Sequence, residues 1–268
     1  MNPRTRDIIE SIYSRYHKPK YLERDPVQYV REFKNPLDIE IAGLVASSLA
    51  YGRVEIIRSS IRRVFSVTGK NLVDFVQSTS FSRKRKLLQG FRHRFNDGFD
   101  LALLFECGRE AIQSYGSLQA LFLAGLTPSG NGDIKQPLDE FVGRIRTYAL
   151  KINRRSRKSF EYFFPFPKEG SACKRLNMFL RWMARDNDGI DTGTWNAVHP
   201  SMLVIPVDTH IAEIGGRLSL TTRRTEDWRM AEEITGQLKK ISPSDPVKYD
   251  FSLCRAGMDD FKSSLKRK

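Results

Sequence analysis

The sequence predicts an all-α protein, on three observations. Apolar residues recur at three- and four-residue spacing in one segment after another. Helix start and stop residues bracket those segments. No stretch sustains the apolar–polar alternation of a half-buried strand. From Leu37, the residues Ile41, Leu44, Val45 and Leu49 fall on one helix face, and Ala50-Tyr51-Gly52-Arg53 breaks the pattern. Ile57, Ile61, Val64 and Phe65 form a second helix that Gly69 ends, because glycine takes the left-handed cap without strain. Helical patterns run over 101–115 and 118–126, turn chemistry over 127–133 predicts a loop, and the helical pattern resumes over 138–152. Ala172, Leu176, Phe179, Leu180 and Met183 make the apolar face of a helix that carries Lys174. Thr225, followed by Glu226 and Asp227, marks a helix start with Ala231, Ile234, Leu238 and Ile241 on its core face. Asp245-Pro246 opens a last helix through Tyr249 and Leu253. No internal repeat is visible.

Composition narrows the function classes. A chain of 268 residues can bury a large core in one or two domains. Lys and Arg number 45 against 31 Asp and Glu, a net charge of +14. That excess favours polyanions, nucleic acid first and an anionic membrane surface second; a merely soluble basic protein is the plain alternative. The charge is clustered at Arg83-Lys84-Arg85-Lys86, at Arg92-His93-Arg94 and at Arg154-Arg155-Ser156-Arg157-Lys158. The last cluster precedes Phe160, Tyr162, Phe163, Phe164 and Phe166. Such a run suits phosphate contact with base stacking, or a solvated basic edge beside a buried aromatic cluster. For the aromatics the second reading is favoured.

Cys107, Cys173 and Cys254 are too few and too scattered for a disulfide framework, which points to a reduced, cytoplasmic setting. The first residues lack the apolar core of a secretory signal, and the apolar run 41–52 is too short to span a bilayer. No membrane partner is expected. The histidines His17, His93, His199 and His210 show no zinc-ligand pattern, and Asp186-Asn187-Asp188-Gly189 lacks the ligand spacing of a calcium loop. No metal and no cofactor are expected.

The densest signal is Pro206-Val207-Asp208-Thr209-His210. It closes an apolar run, Met202 to Ile205, and opens a helical pattern at Ile211, Ile214 and Leu218. Asp208 stands where a helix N-cap belongs. It reads either as a plain capping residue or as a carboxylate held to face a cation-like transition state. The motif resembles the one that carries the catalytic Asp in the helix-hairpin-helix DNA glycosylases, the endonuclease III-like superfamily. Upstream, Glu169-Gly170-Ser171-Ala172-Cys173-Lys174-Arg175 is similar to that superfamily's Gly-x-Gly-x-Lys turn. Gly170 matches the first Gly and Lys174 the nucleophilic Lys, while Ala172 stands at the second Gly and Ser171 at a usually apolar position. Lys174 and Asp208 are further apart than in those relatives. The extra length falls in the polar stretch 186–193, which reads as an inserted loop bulging outward. Within the superfamily the chain is most similar to a bacterial branch, the domain of unknown function 2400, over 170–185, 205–220 and 245–258.

The resemblance implies a two-lobed, all-α DNA-glycosylase-like fold with a helix-hairpin-helix motif. Residues 37–201 would form a barrel-like lobe including the hairpin, and 1–36 plus 202–268 a second lobe carrying the Pro206–His210 motif. It also implies a base-excision glycosylase, with or without AP-lyase activity, that cleaves the N-glycosidic bonds of damaged bases in duplex DNA. Asp208 would stabilise oxocarbenium character on the sugar, and Lys174 would attack the anomeric carbon to form a Schiff base. Backbone N–H groups at Gly170, Ser171 and Ala172 would hold a phosphate. The superfamily's gap-filling residue falls near Ala50, so Tyr51 or Arg53 would take that part for a flipped base. Arg154, Arg155 and Arg157 would contact phosphates. Three cysteines exclude the four-cysteine iron–sulfur cluster of many endonuclease III-like proteins. Ala172, the missing filler and the missing cluster favour a non-catalytic DNA- or RNA-binding module on the same fold. The retained Lys174 and Asp208 favour the enzyme. A basic helical scaffold for protein partners is a third reading.

Overall fold

Side-chain caps set most helix starts in this chain, and they can be read in order. The computed structural model describes residues 2–126 and 134–265, with side chains described as far as Asp259; the loop read at 127–133 lies outside them. Asn2 caps α1 (Pro3–Tyr16), and Asn35 caps α3 (Pro36–Ser48) by accepting from the amides of Leu37 and Asp38. Between them lies the short α2 (Val27–Val30). Next, α4 (Val54–Thr68) stops at Gly69, whose φ of 72° is left-handed. Asn71 and Ser80 cap α5 (Leu72–Ser78) and α6 (Phe81–Leu87). A two-stranded antiparallel ribbon follows, β1 (Arg92–His93) on β2 (Asn96–Asp97). Asp97 and Asp100 form a capping box on α7 (Gly98–Tyr115). Then come α8 (Leu118–Leu123), α9 (Lys135–Asn153) and α10 (Lys158–Glu161). The last four are α11 (Lys174–Ala184), α12 (Thr209–Arg217), α13 (Trp228–Lys239) and α14 (Asp250–Leu265). The fold is all-α. Among the described residues, strand pairing is confined to the ribbon and one isolated bridge, Ser171 with Asp227.

Some helix ends differ from the sequence reading. The cap of α13 is Asp227 rather than Thr225, because its carboxylate reaches the Met230 amide at 2.8 Å. Asp245-Pro246 opens a 3-10 turn, Pro246–Tyr249, before α14 begins. The helix read over 118–126 ends at Leu123.

Helix α3 is buried on all sides, as an all-round apolar helix must be. It packs on α2, α5, α7 and α11. A Cβ on Gly43 would lie 2.7 Å from Met183 Cε, so glycine there sets the close approach of α3 to α11. Helices α5, α6, α8 and α9 pack around α7. At the other end α1 packs on α14, and α14 on α12. One continuous apolar cluster runs through both groups.

Two charged segments behave differently from the sequence reading. Lys84 is fully buried; its Nζ donates to Glu106 Oε1 at 2.6 Å and to the Val76 carbonyl at 2.7 Å. Only Arg83, Arg85 and Lys86 of that cluster face solvent. Lys84→Ala strands part of a buried Glu106 charge, and urea unfolding is expected to show a loss of about 3 kcal/mol. Lys86→Ala is expected to cost under about 0.5 kcal/mol.

Residues 186–188 of the 186–193 loop are exposed, as an outward loop requires, but its second half folds into the protein, where Ile190 and Asp191 are buried. Asp191 is fully buried and accepts from Arg181 Nη2 at 3.0 Å and from Arg185. Arg185 also holds Asp188 and Asp245, each at 2.9 Å. Arg31 clamps the loop from outside by donating to the Asp191 carbonyl at 2.7 Å. Burial alone would raise the Asp188 carboxyl, but its bond from His17 and the Arg185 charge hold it below the usual carboxylate range. Two of the polar residues that read as a surface insertion, Asp188 and Asp191, are partners of buried guanidinium groups.

Candidate functional site

The turn before α11 is tight and partly buried. Gly170 takes a left-handed φ of 88° and is exposed; its carbonyl accepts from the Trp228 amide at 3.0 Å. Ser171 is half-buried, and Ala172 is buried, with its carbonyl accepting from Asn177 Nδ2 at 3.0 Å. Cys173 Sγ donates to the Pro165 carbonyl at 3.3 Å, and burial pushes its thiol up to about 12, so it is a structural cysteine. Lys174 is the first residue of α11.

Asp208 caps α12, as its position in the sequence predicts. Its Oδ1 accepts from the amides of His210 at 3.1 Å and Ile211 at 3.0 Å. That leaves Oδ2 turned toward Lys174, whose Nζ lies 3.7 Å away and 3.4 Å from the Ala50 carbonyl. Both side chains are partly open to solvent, in a cleft of about 530 Å³ whose walls include Ala50, Tyr51, Tyr162, Arg175, Met178 and Asp250. An amine and a carboxylate therefore meet at the starts of two helices, in a cleft large enough for a small organic group.

The supporting shell is built from α11 and α14. Arg175 is buried; it donates to the Ser48 carbonyl at 3.0 Å and to the Tyr162 carbonyl. Its guanidinium lies 4.1 Å from the Tyr162 ring centre and 5.0 Å from that of Tyr51. Two turns further along α11, Arg181 pairs with Asp250 of α14 as well as with Asp191. Helix α14 in turn lies against the start of α12, where a Cβ on Gly257 would be 3.1 Å from the His210 carbonyl. The helix bearing Lys174 and the helix capped by Asp208 are thus tied through α14.

Asp250 is the strongly perturbed acid of this cleft. Burial raises its carboxyl from 3.8 to about 6; Arg181, shared with Asp191, opposes the rise, and the Asp208 charge adds to it. The folded chain therefore binds this proton more tightly than the unfolded chain. The group's contribution to stability is fullest at low pH and falls as pH rises from 3.8 to about 6. Asn does not titrate. The melting temperature of the wild type relative to Asp250→Asn is expected to drop across that window and level off above it. A constant difference across the window would mean that Asp250 does not titrate there.

The remaining sequence-predicted residues divide. Tyr51 lines the cleft, but its hydroxyl donates to the His93 carbonyl at 3.0 Å and to the Asn96 side chain, and burial raises its pKa. It is a fixed wall rather than a free side chain for a vacated gap. Arg53 is exposed just before α4. Arg154 and Arg155 are exposed after α9. Arg157, unlike its neighbours, is not placed for phosphate contact: it pairs with Asp100 at 2.8 Å and Asp97 at 3.0 Å, and it stacks 4.7 Å from the Phe99 ring centre. Its charge is already neutralised within the fold. Phe160, Phe163 and Phe164 are buried, whereas Tyr162 is 42% exposed. Arg175 and Asp250 escaped the sequence reading. Arg175 adjoins Lys174, a weak signal; no local pattern marks Asp250, whose partner is 69 residues away.

Among the described residues no helix is long and apolar enough to cross a membrane, and no group of His, Cys, Asp and Glu is placed to hold a metal ion. Fold and site together define an all-α protein that presents a lysine–aspartate pair in a single cleft. The chain belongs to the DUF2400 family, described as a protein of unknown function, whose model matches residues 25–259. Comparison with curated proteins and with solved structures returns no match.

Proposed function

We propose that this protein is a DNA glycosylase of the helix-hairpin-helix type that releases damaged bases and forms a Schiff base through Lys174. The observation that carries the reading is the approach of Lys174 Nζ to Asp208 Oδ2, 3.7 Å, inside a cleft that is open to solvent. An amine so placed can attack an anomeric carbon, and the adjacent carboxylate favours positive charge on the sugar. The net charge of +14 supplies attraction for a polyanion. The test is borohydride trapping on duplexes containing an abasic site or a damaged base. The wild type is expected to give a covalent adduct that Lys174→Ala abolishes. No adduct on any duplex, with DNA binding intact, would leave the second reading.

That second reading is a non-catalytic nucleic-acid-binding module. It draws on the turn at 170–172, where Ala172 is buried and the Gly170 carbonyl is already bonded to Trp228. Both readings predict phosphate-driven binding. Reversing Arg154 and Arg155 to Glu is expected to weaken duplex binding and to lower the slope of log affinity against log salt by about 2. Arg157→Glu is expected to lower the melting temperature instead, since it sets a third carboxylate beside Asp97 and Asp100. Titrations at several salt concentrations, with a thermal melt of each variant, separate the two effects.

A further inference from the structure

The ribbon between α6 and α7 carries two exposed residues at its tip, Arg94 and Phe95. The residues that flank them are completely buried. His93 is held by Ser60 Oγ at 2.9 Å and by the Tyr51 carbonyl at 3.0 Å. Asn96 donates to Asp100 Oδ2 at 3.0 Å and to the Ser159 carbonyl at 2.7 Å, and it accepts from the Tyr51 hydroxyl. Arg94 takes a left-handed φ of 55°, a conformation that costs a non-glycine residue free energy. A firmly anchored turn therefore holds a large apolar ring outward, 47% exposed. One side of the ring packs on Tyr51 and Tyr162, and the other stands open to solvent, which core packing does not account for.

The surroundings of the ring specify what would cover it. Phe95 stacks on Tyr51, with centroids 5.4 Å apart and planes at 26°, and meets Tyr162 edge-on at 4.4 Å. Tyr51 and Tyr162 are also walls of the cleft that holds Lys174 and Asp208, so the aromatic cluster runs from the cleft to its rim. A cation accompanies it: Arg94 lies 5.9 Å from the Tyr51 ring centre and its Cδ would be 3.3 Å from a Cβ on Gly52, while Arg92, three positions before Phe95, and Arg53, two after Tyr51, are exposed. Exposed aromatic faces between cations are how proteins hold unpaired bases: the ring stacks on the base and the cations attract the phosphates. A plain apolar docking surface would not need the cations.

We infer that the Arg94–Phe95 tip, backed by Tyr51 and Tyr162, is a stacking platform for an unpaired nucleobase at the rim of the cleft. The preferred partner is DNA with an unpaired base beside the site, rather than fully paired duplex. This inference rests on the nucleic-acid reading proposed above. The experiment compares binding of the 268-residue chain to an intact duplex and to the same duplex with a single-stranded gap containing 2-aminopurine. The wild type is expected to prefer the gapped duplex by about tenfold and to quench the 2-aminopurine. Phe95→Ala is expected to abolish both effects while intact-duplex affinity stays within about twofold, as for an ordinary surface substitution. Phe95→Trp is expected to retain both. If the wild type binds both duplexes equally, or if Phe95→Ala keeps the preference, the platform is refuted and the nucleic-acid reading stands. If the wild type binds neither duplex, that reading falls and the platform with it.

Discussion

Under the glycosylase function proposed above, Asp208→Asn is expected to slow base release by about 10²- to 10³-fold while DNA affinity changes by less than about twofold. The asymmetry follows from the two oxygens of one carboxylate. Oδ1 caps α12, and Asn caps a helix about as well as Asp, so the fold is expected to tolerate the change. Oδ2 faces Lys174 and the cleft, where in the proposed reaction the lost charge matters only as positive charge develops on the sugar. Asp208→Ala adds a loss of about 1 kcal/mol in stability from the missing cap. Single-turnover base release on a panel of damaged-base duplexes, with parallel binding and thermal melts, measures the three quantities. Base release unchanged in Asp208→Asn would mark the residue as a helix cap alone, because Asn keeps the cap and removes only the charge.

Asp191→Ala is expected to cost about 3–5 kcal/mol, the largest stability loss of any single substitution considered. Asp191 is fully buried and is shared by Arg181 and Arg185, which are themselves buried. Removing it leaves two guanidinium groups short of a partner in the interior. Arg181 also holds Asp250, a wall of the cleft, so the loss is expected to reach the site through α11 and α14. Urea unfolding gives the stability change. A loss below about 1 kcal/mol would return the 186–193 loop to the status of an ordinary insertion.

The two variants probe residues that were unequally legible in the sequence. Asp208 lies at the junction of an apolar run and a helical pattern, and its cap follows from that local order. Local order marks Lys174 only as part of an amphipathic helix after a glycine turn; the resemblance of 169–175 to a known turn is what singled it out. Asp191 sits in a stretch rich in Asp, Asn and Gly, a composition that reads as solvated loop. Nothing local distinguishes an Asp that meets water from one that meets a buried Arg. Lys84 and Arg157 differ from their basic runs in the same way: one is matched by Glu106 and the other by Asp97 and Asp100.

The sequence by itself determined the helical class, most helix starts through their capping residues, the left-handed stop at Gly69, and the placement of Asp208 at a helix N-terminus. Those features depend on residues within a few positions of one another, so periodicity and cap chemistry reveal them. Only the tertiary structure decided that Lys174 and Asp208 share a cleft, that Asp250 and Arg175 support it, and that Phe95 stands at its rim. It also decided which cations stand exposed and which are consumed by internal carboxylates. Each of these is a contact between segments far apart in the chain, set by how α3, α11, α12 and α14 pack. A charge or an exposed ring acquires its meaning from the groups that the packing brings to it.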